Sequence, residues 1–132
     1  MIYLSDTNAW IAYVNPGASA VKSRFRAHLP TDIVFCFVVK AELLYGAYRS
    51  SRQADNLHLL ATLFQQFESL PFDDAAAEIY GRIRADLAAR GTPIGPYDLM
   101  IAATALANNL ILVTHNTREF ARVAGLSLED WT

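Results

Sequence analysis

The chain contains one cysteine and two lysines, and no apolar run reaches the roughly 18 residues that a membrane span needs. A lone cysteine excludes an internal disulfide. Cys36 sits in the run Ile33-Val34-Phe35-Cys36-Phe37, where it reads as a small buried hydrophobe rather than a nucleophile. The opening Met-Ile-Tyr-Leu-Ser-Asp has neither a basic stretch nor a small-residue cleavage site, so no signal peptide is expected. No repeat, low-complexity tract or long linker divides the 132 residues, and that length suits one domain, residues 1–132, rather than two. The expectation is a soluble protein of the cytoplasm with no membrane partner.

Charge is scarce as well. Charged residues make up 18% of the chain against 53% hydrophobic, a composition that supplies a packed core and excludes disorder. The formal net charge of −2 is unusual for a protein that meets nucleic acid. It reports only the average field, and the distribution of charge matters more. The cations are nine arginines to two lysines, which favours planar, bidentate partners such as phosphate or carboxylate.

What is present is an alternation of strands and helices. A short apolar strand, Ile2 to Ser5, ends at Asp6, and a helix follows with Asp6 or Thr7 as its cap and Trp10, Ile11 and Val14 at helical spacing. Pro16-Gly17 breaks it, and a second helix is expected from about Ala18 to His28. Ile33 to Val38 is continuously apolar, the pattern of a strand covered on both faces. Helices are expected over Lys40 to Tyr48 and Gln53 to Glu68, and a strand over Ser69 to Phe72. Asp73-Asp74 start a helix that stops at Gly91, and Gly95-Pro96 introduces another from Tyr97 to Asn108. Leu110 to Thr114 reads as a strand, Thr117 to Val123 as a helix, and Leu126 to Leu128 as a last edge strand. The expected fold class is α/β: a sandwich of helices around a mostly parallel sheet of four to five short strands.

Sheets of this kind place their sites beyond the carboxyl ends of the strands. Four polar residues fall there or nearby: Asp6 after the first strand, Glu42 on the helix leaving the second, Asp98 in the first turn after Gly95-Pro96, and Asn116 after Leu110–Thr114. Each has an ordinary alternative. Asp6 serves as an N-cap, Asp98 answers a helix macrodipole, Glu42 faces solvent and Asn116 forms a turn. Glu42, however, lies between Val38-Val39 and Leu43-Leu44, where an unpaired carboxylate is costly. Carboxylates converging on one edge repel each other unless a cation joins them. A hard, oxygen-seeking Mg²⁺ or Mn²⁺ meets that requirement and activates water for attack on phosphate.

Asp6-Thr7-Asn8, Ala41-Glu42-Leu43-Leu44-Tyr45-Gly46, Ile94-Gly95-Pro96-Tyr97-Asp98-Leu99-Met100-Ile101-Ala102 and Val113-Thr114-His115-Asn116-Thr117-Arg118-Glu119-Phe120 resemble the four motifs of PIN-domain ribonucleases. They run in order along the whole chain, whose length is similar to that of the VapC toxins of type II toxin–antitoxin pairs. The resemblance implies a single PIN domain over residues 1–132, with Asp6, Glu42 and Asp98 as acidic ligands of Mg²⁺ and Mn²⁺ as a substitute. Thr114 and Asn116 would complete the site. It further implies an endoribonuclease that cuts structured RNA such as tRNA and inhibits translation. A VapB antitoxin would hold it silent, and homodimers and toxin–antitoxin hetero-oligomers are the implied assemblies. Many of the family carry aspartate where this chain has Asn116. An amide oxygen can ligate a metal or hold a water but adds no charge, which supports one metal and weakens the case for a second.

Of the remaining residues, Arg49, Arg52, Arg82 and Arg118 are candidates for phosphate contact, against the alternative of solvated helix faces. Glu119 lies one helical turn beyond Asn116 and could partly substitute for the missing acid, but a surface ion pair with Arg118 or Arg122 is the expected reading. His28 and His58 read as structural, and His115 lies near the candidate edge. Leu44, Tyr45, Tyr48, Phe64 and Phe67 read as core, with an interface as a second use for part of them. A phosphatase of the haloacid dehalogenase kind also begins with a strand ending in aspartate, but its second aspartate would stand where Asn8 is. The other competing function is a catalytically weak PIN domain acting as an RNA- or protein-binding module, motivated by Asn116.

Overall fold

The run Ile33–Cys36 forms a strand, β2, buried along its entire length, as an apolar segment without alternation requires when both faces are covered. Its neighbours set the rest. The computed structural model describes residues 1–132 and holds five strands: β1 (Tyr3–Ser5), β2, β3 (Ser69–Leu70), β4 (Ile111–Val113) and β5 (Leu128–Glu129). They form one sheet in the order β3-β2-β1-β4-β5, with every pairing parallel. Parallel neighbours need crossovers, and helices supply them: α1 (Thr7–Val14) and α2 (Ala20–Arg26) join β1 to β2, and α3 (Phe37–Arg49) and α4 (Gln53–Gln66) join β2 to β3. The pair α5 (Asp74–Ala89) and α6 (Pro96–Ala107) leads to β4, and the single turn α7 (Thr117–Phe120) to β5. No helix is long and apolar enough to cross a membrane.

Local chemistry places the helix ends. Ser19 and Asp73 accept from the backbone N–H three residues on, at 3.1 and 3.0 Å, each satisfying a donor the helix itself cannot. Gly95 caps α6 with Pro96 as its first residue, where the missing N–H costs nothing. Several boundaries fall one to three residues from expectation, two of them with a clear cause. The second strand ends at Cys36, and Phe37 and Val38 already belong to α3. Burial of Val39 on the core side of that helix outweighs the β preference of the valines. The last strand is Leu128–Glu129 rather than Leu126–Leu128, because Leu128 and Glu129 pair with Leu112 and Val113.

The core gathers on the aromatic rings of several elements. Trp10, wholly buried, stacks on Phe35 with ring centroids 3.7 Å apart and meets Phe25 and Phe67 at 4.9 Å. Trp131, from the chain end, closes the neighbouring side against Phe25, Tyr3 and His28. His28 is therefore a structural ring, as expected. Cys36 is fully buried, and that burial pushes its thiol up to about 11, which leaves it unreactive at neutral pH. Such rings contribute both by the area they bury and by their mutual geometry.

Candidate active site

Because all five strands run parallel, their carboxyl ends open on one edge, and the residues just past them are brought together. β1 lies at the centre, paired with β4 on one side, so Asp6 and Thr114 emerge next to each other. Asp6 is only 7% exposed, and both its oxygens are engaged. Oδ1 accepts from the backbone N–H of Ala9 at 2.9 Å, and Oδ2 accepts from the Thr114 hydroxyl at 2.6 Å. The residue is both the N-cap of α1 and a fixed carboxylate at the strand exit. Burial raises its pKa above the ordinary carboxylate value, against the pull of those two bonds.

Thr114 is itself held in place. Its oxygen accepts from the backbone N–H of Asn116 at 3.0 Å, so one hydroxyl joins the β4 exit to Asp6. Glu42, half-buried on α3, accepts from the Thr7 hydroxyl at 3.0 Å, which leans it toward the start of α1. Asp98, also half-buried, occupies the first turn of α6. Its carboxyl is pushed up to about 6, first by burial and then by the negative charges of Glu119, Glu42 and Asp6. Those causes locate it: three acids from three other elements lie within electrostatic reach.

Asn116 turns toward α7, where its Nδ2 donates to Glu119 Oε2 at 2.8 Å. The expected ion pair of Glu119 with Arg118 or Arg122 does not form. Arg122 instead donates to the Pro93 carbonyl at 3.5 Å, and Glu119 is held by the amide, with its charge felt at Asp98. Its place one turn beyond Asn116 offered both a substitute acid and an ion pair in the sequence, and the structure removes the ion pair. The acids at or near this edge are Asp6, Glu42, Asp98 and Glu119. No three His, Cys, Asp or Glu side chains stand close enough to enclose an ion by themselves.

The four candidate arginines have different settings. Arg49 lies over the Tyr45 ring, 5.4 Å from its centroid. Arg52 pairs with Asp55 at 3.0 Å, both widely exposed, a surface contact of small energetic weight. Arg82 lines a separate hollow with Ile79, Leu106 and Val123. Arg118 is exposed on α7, two residues past Asn116. His115 points away to the chain end, with Nδ1 at 3.1 Å from both Asp130 Oδ2 and Thr132 Oγ1. His58 is exposed on α4.

Known proteins are similar to this chain in sequence and fold. The family model described as the PIN domain matches residues 3–126. The chain is similar to the tRNA(fMet)-specific endonuclease VapC of Shigella flexneri, 40% identical and covering 98% of both chains. It is also similar to ribonuclease VapC1 of Haemophilus influenzae, 35% identical over 100% of this chain and 99% of the other. Among solved structures, a DNA-bound VapBC from Salmonella typhimurium contains a chain of TM-score 0.93 and 36% identity, with 100% of this chain and 99% of that one covered. VapBC2 of Rickettsia felis, bound to a promoter DNA fragment, gives a TM-score of 0.91 at 33% identity with 100% of both chains covered. Four motifs in register, an all-parallel sheet with carboxylates at its exit edge, and matches along its full length establish that this chain belongs to the PIN domain family, among its VapC ribonucleases.

Proposed function

We propose that this ribonuclease is a Mg²⁺-dependent endonuclease of tRNA, the toxin of a pair that a VapB-type antitoxin neutralises. The observation that carries the metal assignment is the charge conflict at the sheet edge. Asp98 is pushed up to about 6 by its own burial and by Glu119, Glu42 and Asp6, a cost that a divalent cation removes. Asp6, Glu42 and Asp98 would hold the ion, and Mn²⁺ would substitute. A site of oxygen donors that do not by themselves close around an ion suits a cation that keeps part of its water. Bound there, the metal supplies a lowered pKa for the attacking water and neutralises phosphate charge.

The chain's own residues prepare this site. Thr114 holds Asp6 through Oδ2, and Thr7 holds Glu42, so two of the three proposed ligands are oriented by hydroxyls. Asn116 takes part indirectly, presenting Glu119 as the fourth acid. Support for tRNA as substrate comes from the Shigella flexneri relative, named as a tRNA(fMet)-specific endonuclease. Support for a VapB partner comes from the VapBC complexes that contain similar chains. A homodimer acting in the cytoplasm belongs to the same reading. Of the arginines, Arg49 and Arg118 are the better candidates for phosphate contact, since Arg52 and Arg82 have the other settings described above.

The test is cleavage of total tRNA by the purified chain, free of antitoxin, with Mg²⁺, with EDTA, and with Asp6→Asn. Fragments that depend on Mg²⁺ and vanish in the mutant are expected. RNA that stays intact with metal present would overturn the enzymatic reading in favour of a binding module.

A further inference from the structure

Beside the acidic edge lies an open groove of about 750 Å³ whose lining includes Thr7, Phe37, Glu42, Tyr45, Tyr97 and Met100. Three of its residues are aromatic and strongly exposed: Phe37 at 51%, Tyr45 at 63% and Tyr97 at 62%. The buried rings of this protein pack on one another, as Trp10 does on Phe35 and Tyr13 on Phe25. The three groove rings belong to no such pair and are not packed against the core. They project from α3 and α6, the same helices that carry Glu42 and Asp98. Tyr97 directly precedes Asp98 in the chain.

We infer that this groove is a nucleobase-stacking platform, which takes the unpaired base of an RNA nucleotide next to the phosphate at the acidic edge. The inference rests on the nuclease reading for the identity of the edge. Two observations favour RNA over a protein occupant. The groove is continuous with the acidic site through Thr7 and Glu42, so a strand whose phosphate meets the carboxylates lays an adjacent base on the rings. At the outer side, Arg49 lies over Tyr45 and supplies a cation at the ring for the next phosphate. A neutral π-face also tolerates a wall containing Glu42, whereas a second phosphate would be repelled. Across Glu42, the opposite groove is lined by aliphatic side chains such as Ile11, Val14, Leu59 and Leu60 and has no aromatic ring. The two sides of this glutamate therefore differ in chemistry.

The test compares the wild type with Tyr45→Leu and Tyr97→Leu, and with Tyr45→Phe and Tyr97→Phe, which keep the ring. Binding is read on a single-stranded oligoribonucleotide carrying 2-aminopurine, with Ca²⁺ in place of Mg²⁺, and cleavage is read separately with Mg²⁺. The expected results are fluorescence quenching by the wild type and both phenylalanine variants, and binding weakened roughly fivefold to a hundredfold in the leucine variants. KM for cleavage should rise by a similar factor with kcat little changed, and an oligonucleotide abasic at that position should not distinguish the variants. Melting temperatures identify any variant that has lost its fold. Absence of quenching by the wild type, or leucine variants that bind as well as it does, overturns the platform. In the second case, an altered dimer mass or antitoxin affinity assigns the groove to a protein partner. Quenching without cleavage of any RNA would instead sustain the platform and overturn the nuclease reading.

Discussion

Two regions meet at the first turn of α1 and obey opposite rules. Behind it, Trp10 sits in a nest of rings with Phe25, Phe35 and Phe67, at the cost of a buried indole N–H that has no hydrogen-bond partner. In front of it, Asp6 faces an edge where like charges crowd, and Asp98 is pushed up to about 6 in consequence. The two residues are only four positions apart in the chain. The contrast shows where stability and function are kept. The aromatic layer contributes the free energy that lets the edge stay frustrated, and frustrated carboxylates are what a divalent cation recognises.

The aromatic side is the more sensitive of the two regions. Trp10→Ala should destabilise the fold by about 3–5 kcal/mol, measured by urea or thermal unfolding, since both the buried area and the ring stack are lost. A loss comparable to that of an exposed position would mean that the ring cluster is not the keystone of the core. A smaller effect comes from the junction. Thr114→Val removes the hydroxyl that donates to Asp6 at 2.6 Å while keeping shape. Metal affinity or cleavage should fall roughly tenfold to a hundredfold, as for other groups that orient a ligand, while Thr114→Ser retains most of it.

The gentlest break is a proton. In EDTA, the folded Asp98 carboxyl lies at about 6, above its ordinary 3.8. Between these values the folded state binds more protons than the unfolded one, so this group's contribution to stability falls as pH rises. Above about pH 6 it is constant. Asp6, raised in the same direction, adds to the trend. Asp98→Asn should therefore gain melting temperature relative to wild type from pH 4 to 6 and keep the gain at pH 7. Mg²⁺ should stabilise wild type at pH 7 and the mutant less. A difference that does not change with pH would show that the acids are not in conflict.

Much of this was legible in the linear chain, for reasons that differ by residue. The strand–aspartate–helix junction at Asp6 and the Gly95-Pro96 start before Asp98 are local signals, and local geometry satisfied both. Asp6 was readable as a cap or as a site residue, and the fold makes it both, because a carboxylate has two oxygens and each found a different partner. Glu119 was only half legible: its place one turn beyond Asn116 offers a substitute acid, and the arginines beside it offer an ion pair. Whether an acid on a one-turn helix pairs with an arginine or bonds Asn116 within electrostatic reach of Asp98 depends on how α7 is set against α6, and no spacing encodes that.

Similarly, the apolar run from Ile33 does not announce where strand becomes helix. The break after Cys36 follows from how α3 packs on its neighbours, with Val39 on its buried side. The exposure of Phe37, Tyr45 and Tyr97 is the clearest case. As letters, Tyr45 reads as core; in the structure its ring stands in solvent beside the acidic edge. Periodicity and capping are near-neighbour physics and survive in one dimension. Which side chains meet across the sheet edge, and which rings are left without a partner, are long-range outcomes of packing that exist only once the chain has folded.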